Sequence, residues 1–220
     1  MGVFRLLGGC TLILAVLATQ SQAAVITPTA VTASSEFAVA AHLIDGSGLD
    51  GVGPVTGQLH NNDENGMWQT FSATPIGETV EFDLNGVFDL SSAYIWQYNG
   101  PSGGPLGLPE PDRETGSVDI SISPDLVSPF VSLGTLTLAP ALDQTIVTFN
   151  EPAQAFALAG VNLARRVKLT ILSSQIPGSD TINGLSEVRF EGVAIPEPAT
   201  LALAAVGLFS LPWLTRRKRT

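Results

Sequence analysis

Unbroken alternation of apolar and polar residues along the middle of this chain decides what it can fold into. Val118-Asp119-Ile120-Ser121-Ile122-Ser123 changes character at every residue. A strand turns successive side chains to opposite faces, so such a segment lays one face on a core and the other toward water. Glu78–Leu84 and Val167–Ile171 repeat the pattern. Further strands are expected at Trp68–Phe71, Ala93–Tyr98, Val131–Leu138, Thr145–Phe149, Ala153–Ala159 and Leu185–Phe190. Gly, Pro, Asn and Asp cluster between them and read as turns. Two long loops are expected, at Gly46–Gly66 and Gly100–Pro111. No helical period is sustained before the C-terminal run, and no internal repeat is visible. The expectation is an all-β antiparallel jelly-roll β-sandwich spanning residues 24–194.

The two ends read differently. Arg5 precedes an apolar core, Leu12–Ala18, and Ser21-Gln22-Ala23 is a small-x-small cleavage site. Residues 1–23 therefore read as a secretory signal peptide. The only cysteine, Cys10, lies inside it, so the mature chain can form no disulfide. At the other end, Ile195-Pro196-Glu197-Pro198 leads into an uncharged run, Ala199–Leu214, and then Arg216-Arg217-Lys218-Arg219. As a helix the run would be about 24 Å long, short of the roughly 20 residues of a comfortable span. The basic tail is expected to stay on the cytoplasmic side. Trp213 suits the membrane interface.

Motif, apolar run and basic cluster in this order resemble the PEP-CTERM sorting signal of Gram-negative bacteria, over residues 195–220. Pro196, Glu197 and Pro198 carry the motif. The resemblance implies an exosortase-type transpeptidase as partner, cleavage near Pro196–Pro198, transient anchoring in the inner membrane, and delivery to the cell surface or extracellular matrix.

Charge narrows the partners. All 20 acidic side chains lie between Glu36 and Glu197, with only Arg113, Arg165, Arg166, Lys168 and Arg189 among them, a net −15. Such a surface repels nucleic acid and anionic lipid. Arg166 and Lys168 share one strand face, suited either to an anionic polysaccharide or to neighbouring acidic side chains. An enzyme has little support. His42 and His60 are the only histidines, and no nucleophile elbow, His-Glu-x-x-His or phosphate loop occurs.

A second resemblance rests on the order of short motifs. Ala33-Ser34-Ser35-Glu36, Leu43-Ile44-Asp45-Gly46, His60-Asn61-Asn62-Asp63, Met67-Trp68, Val80–Gly86, Ile95–Asn99, Val118–Asp125 and Ser186–Gly192 follow one another as in discoidin-like (coagulation-factor C-type) members of the galactose-binding-like jelly rolls. That family binds glycans, lipids or proteins through loops at one end of the sandwich. The resemblance implies a structural calcium at Asp45, Ser47 and Glu187, although Ser47 stands where the family often has a second aspartate. Read from the residues alone, Asp45 equally caps a turn.

His60, Asn61, Tyr98 and Asn99 pair aromatic faces with amides near loop starts and are expected to line a sugar site at the rim. Trp68 and Trp96 are expected in the core, and Asp63-Glu64 in a solvated loop. The function expected is a non-catalytic exported protein that binds carbohydrate or another extracellular polymer. The alternative is a structural matrix component with no specific ligand.

Overall fold

The computed structural model describes residues 22–71, 75–100, 113–142, 151–176 and 182–196. Outside these lie residues 1–21 of the expected signal peptide, the expected strand Thr145–Phe149, residues 101–111 of the expected loop, Glu197, Pro198 and the C-terminal run with its basic tail.

Strands β1 (Ala24–Ile26), β2 (Ala30–Ala33), β3 (Leu59–His60), β4 (Trp68–Gln69), β5 (Thr79–Gln97) and β6 (Thr115–Ser123) come first along the chain. They are followed by β7 (Val131–Thr137), β8 (Glu151–Pro152), β9 (Gln154–Ala157), β10 (Leu163–Ser174) and β11 (Gly184–Ala194). Every pairing between these strands is antiparallel. The long loop expected over 46–66 is interrupted by 3-10 turns at Val55–Gly57 and Glu64–Gly66 and by β3. One helical turn, α1 (His42–Asp45), was not foreseen.

Glu78–Leu84 and Ala93–Tyr98 are not separate strands. Both lie on β5, which runs for 19 residues. Asn85-Gly86 looks like a hairpin turn in sequence but only bends the strand. Asn85 takes a left-handed φ of 54°, and its N–H donates to Asp83 Oδ1 at 2.8 Å. Asparagine tolerates this conformation because its short polar side chain bonds locally.

The bend lets one strand serve two layers. Thr79–Asp83 lies between β2 and β10, and β6 and β7 extend that layer. Phe88–Gln97 pairs with β11, and Ser92–Ile95 also pairs with β9. β1 and β4 add to the other edge of β11.

A bulge shifts the phase of burial along β5. Leu90 opposes Gly192 and Ser92 opposes Glu191, leaving Ser91 as the extra residue. Inward positions change from Val80, Phe82 and Leu84 to Ala93 and Ile95. Gly192 is required there, since a Cβ on it would lie 2.5 Å from the Asp89 carbonyl oxygen.

The two layers meet over an apolar core. Phe82 of β5 packs edge-on against Phe190 of β11, with centroids 5.5 Å apart and planes at 74°. Val118, Ile120 and Ile122 of β6 point inward as the alternation requires. Trp68 and Trp96 are both fully buried. Trp96 donates its indole N–H to the Gln58 carbonyl at 2.9 Å.

Candidate functional site

The helical turn α1 ends on Gly46, in the left-handed conformation at φ 71°. This is the usual end of a short helix, because glycine has no Cβ to clash. Asp45 Oδ1 accepts the Ser47 N–H at 2.8 Å, and its Oδ2 lies 3.2 Å from His42 Nδ1. Burial would raise the Asp45 carboxyl, but the Ser47 and His42 hydrogen bonds hold it below its ordinary value.

β11 supports this turn from beneath. Glu187 and Arg189 are two residues apart, so they share one face of the strand, and both are buried. Glu187 Oε2 accepts the Gly46 N–H at 3.1 Å. Its Oε1 contacts Arg189 Nη1, which also donates to the carbonyls of Val188 at 3.0 Å and Leu43 at 3.4 Å. One acid and one base thus satisfy a donor and an acceptor of the same turn. Burial pushes the Glu187 carboxyl up to about 8, against the pull of Arg189 and the Gly46 N–H. Burial also lowers Arg189, while Glu187 and Asp45 oppose the shift. Both shifts have one origin, the removal of charge from water.

The expected rim of His60, Asn61, Tyr98 and Asn99 is not a rim. His60, Tyr98 and Asn99 are buried, with exposures of 0%, 0% and 1%, and Asn61 is half-buried. Close neighbours, on the following loop and on β11, explain why. A Cβ on Gly100 would lie 2.2 Å from Tyr98 Oη, and one on Gly184 would lie 2.8 Å from Tyr98 Cδ2. Asn99 Oδ1 faces the Ser186 hydroxyl at 3.4 Å. Burial lowers the His60 imidazole, although its Nδ1 lies 2.7 Å from the Asn61 carbonyl oxygen.

Gly48 makes room for His60, because a Cβ there would sit 2.0 Å from the imidazole ring. Gly48→Ala is expected to lower stability by about 1–3 kcal/mol through overpacking. Adding His60→Ala should give a loss smaller than the two single losses combined. Simple additivity in thermal unfolding would argue against this contact.

Among the described residues, an exposed aromatic pair stands where the sequence gives little sign of one. Phe37 and Phe71 are 59% and 70% exposed. Their rings are nearly parallel, at 6° with centroids 6.2 Å apart. The backbone holds them together. Phe37 N–H donates to the Gln69 carbonyl at 2.8 Å, and Phe71 N–H donates to Ser35 Oγ at 3.3 Å. Val39 is exposed on the same loop. The available signal was a lone aromatic in each of two polar stretches, Ser34-Ser35-Glu36-Phe37 and Gln69-Thr70-Phe71-Ser72.

The basic strand face is already occupied. Arg166 Nη1 lies 3.7 Å from Glu81, and Arg165 Nε lies 3.6 Å from Asp83. The Arg166 guanidinium and the Lys168 ammonium stand 4.6 and 4.5 Å from the Phe130 ring centroid. Asp63 caps its 3-10 turn through the Asn65 N–H at 3.0 Å.

The architecture is first that of an antiparallel β-sandwich with a galactose-binding-like fold. Solved structures of that fold align with it. The C-terminal domain of a chitobiase from Bacteroides fragilis matches with a TM-score of 0.51 at 18% identity, over 79% of this chain and 100% of that one. A fucolectin from striped bass (Morone saxatilis) serum matches with a TM-score of 0.51 at 18% identity, over 77% of this chain and 48% of that one. Module CBM32-3 of a family 31 glycoside hydrolase from Clostridium perfringens matches with a TM-score of 0.50 at 16% identity, over 73% and 88%. The chain spans about half of the fucolectin, and 35% of a further match, a truncated AlyQ with CBM32 and alginate lyase domains. At these identities the likeness is one of fold.

The second step comes from the C-terminus. Residues 194–219 match the model of the PEP-CTERM protein-sorting motif, so the chain carries a signal for export and sorting to the cell surface. No curated protein matches the sequence. Among the described residues, no helix is long and apolar enough to cross a membrane.

Proposed function

We infer that this protein is an exported, non-catalytic surface or matrix protein that binds carbohydrate through loops of its sandwich. The Phe37–Phe71 pair carries this reading. Two large exposed rings held side by side on neighbouring segments mark an interaction surface, and flat aromatic faces suit the C–H faces of sugar rings. The fucolectin and the CBM32 module share this fold, which adds support. The sorting motif fits a place of action outside the cell, where polysaccharide is the abundant polymer.

In this reading the signal peptide directs export and the Ala199–Leu214 run holds the chain in the inner membrane. An exosortase-type transpeptidase then cleaves near Pro196–Pro198, releasing the domain to the surface or matrix. Deleting Pro196–Pro198 is expected to leave an unprocessed, membrane-bound chain, as judged by its size and fractionation.

Binding is tested with a panel of extracellular polysaccharides and a glycan array. Phe37→Ala and Phe71→Ala are each expected to weaken binding about tenfold, which is roughly 1.4 kcal/mol. As exposed substitutions they should change stability by no more than about 0.5 kcal/mol. Binding unaffected by both changes would remove the aromatic pair from the site. A protein that binds no polymer at all would instead be a structural matrix component.

A further inference from the structure

The discoidin-like resemblance implies calcium at Asp45, Ser47 and Glu187, and the geometry of those residues tests the implication. Calcium takes about six to eight oxygen ligands. Most of the oxygens here already have partners. Glu187 Oε2 accepts the Gly46 N–H, and Oε1, which accepts no hydrogen bond, is ion-paired with the Arg189 guanidinium. Both Asp45 oxygens are engaged, by the Ser47 N–H and by His42. The Ser47 hydroxyl lies 3.4 Å from His42 Nδ1. Among the described residues no three His, Cys, Asp or Glu side chains converge on one point. A fixed positive charge stands beside the carboxylates, where it repels a divalent ion. The residues do not fit calcium.

We propose that the Arg189 guanidinium is the built-in cation of this turn and takes the place of a bound metal. It is 4% exposed and touches Glu187. It donates to the Leu43 carbonyl inside α1, an acceptor that a cation would otherwise satisfy. Asp45 adds attraction from the turn itself. A covalently attached charge is present at every metal concentration, so the loop stays ordered wherever the protein is exported.

The test is thermal unfolding of the purified full chain after chelation, with and without millimolar calcium. The wild type is expected to melt at one temperature in both conditions. Arg189→Met, which keeps bulk but removes the charge, is expected to lower the midpoint on the order of 10 °C, because it leaves Glu187 buried without its partner. Calcium should then recover part of that loss, since the freed carboxylates gain a cation. Arg189→Lys, which keeps the charge, should fall between the two and remain indifferent to calcium.

A wild-type midpoint that rises with calcium would overturn the proposal. So would an Arg189→Met protein as stable as wild type, or one destabilised but unmoved by calcium. If Arg189→Met fails to fold, Arg189→Lys decides, and a calcium response in it counts against the proposal.

Discussion

Trp68→Ala is expected to lower stability by about 3–5 kcal/mol, the usual loss for truncating a buried tryptophan. In a domain of this size that corresponds to a midpoint about 6–20 °C lower. Trp68 is fully buried and sits where β4 pairs with the start of β11, Leu185 opposite it. The cavity cannot collapse easily, because the neighbouring strand is already close. A Cβ on Gly184 would lie 2.5 Å from the Trp68 carbonyl oxygen.

The same side chain reaches toward the aromatic platform. Its indole N–H donates to the Ser35 carbonyl at 3.3 Å, and Ser35 Oγ receives the Phe71 N–H. Trp68→Ala should therefore also weaken polysaccharide binding at temperatures where the protein remains folded. Trp68→Phe separates the two effects, since it keeps most of the bulk but loses the N–H. A Trp68→Ala protein melting within about 2 °C of wild type would contradict the packing described for this side chain.

Raising the pH from 5 to 8 is expected to destabilise the protein, with Glu151 the main contributor in the lower part of that range. Glu151 is 2% exposed. Burial pushes its carboxyl from the ordinary 4.5 up to about 7, with Glu114 adding to the shift and the Leu142 N–H opposing it. A folded state that keeps its proton to higher pH binds more protons than the unfolded chain across that window. Stability is therefore full below about 4.5 and falls as pH rises through about 7. At 1.36 kcal/mol per pH unit, the contribution is about 3 kcal/mol.

Glu151→Gln removes the titrating group but keeps an oxygen for the Leu142 N–H, which now donates to Glu151 Oε2 at 2.8 Å. Denaturant unfolding at pH 5 and pH 8 should show a clearly smaller difference in this variant. A difference equal to that of wild type would remove Glu151 as the cause.

Much of the fold was legible because alternation is a local property. Val118–Ser123 and Val167–Ile171 lie on β6 and β10 as expected, and the inward face of β6 is the one its apolar residues mark. Trp68 and Trp96 were legible as core from their apolar or strand-starting neighbours. The errors have one physical cause, the distance between sequence partners. Asn85-Gly86 carries the signature of a turn, yet whether the chain reverses or only bends depends on β10, about 80 residues away. Tyr98 and Asn99 follow a strand and precede a glycine-rich stretch, which suggested a rim. They are buried because Gly184 and Ser186 of β11 come against them. Phe37 and Phe71 are not unusual alone in sequence, and only the Phe37–Gln69 and Phe71–Ser35 hydrogen bonds make them a pair.

By itself the sequence determined the class of fold and the destination. Period two forces strands, and a proline-bracketed motif followed by an apolar run and a basic cluster is read as a linear signal. Tertiary structure decided which side chains meet. The Asp-Gly turn could serve a metal or merely cap itself, and nothing near it in sequence distinguishes the two. Arg189 lies 143 positions beyond Gly46, and only the packing of α1 against β11 brings its charge under that turn. Charge and hydrogen bonding act over a few ångströms of space, and a sequence orders residues by bonds along the chain.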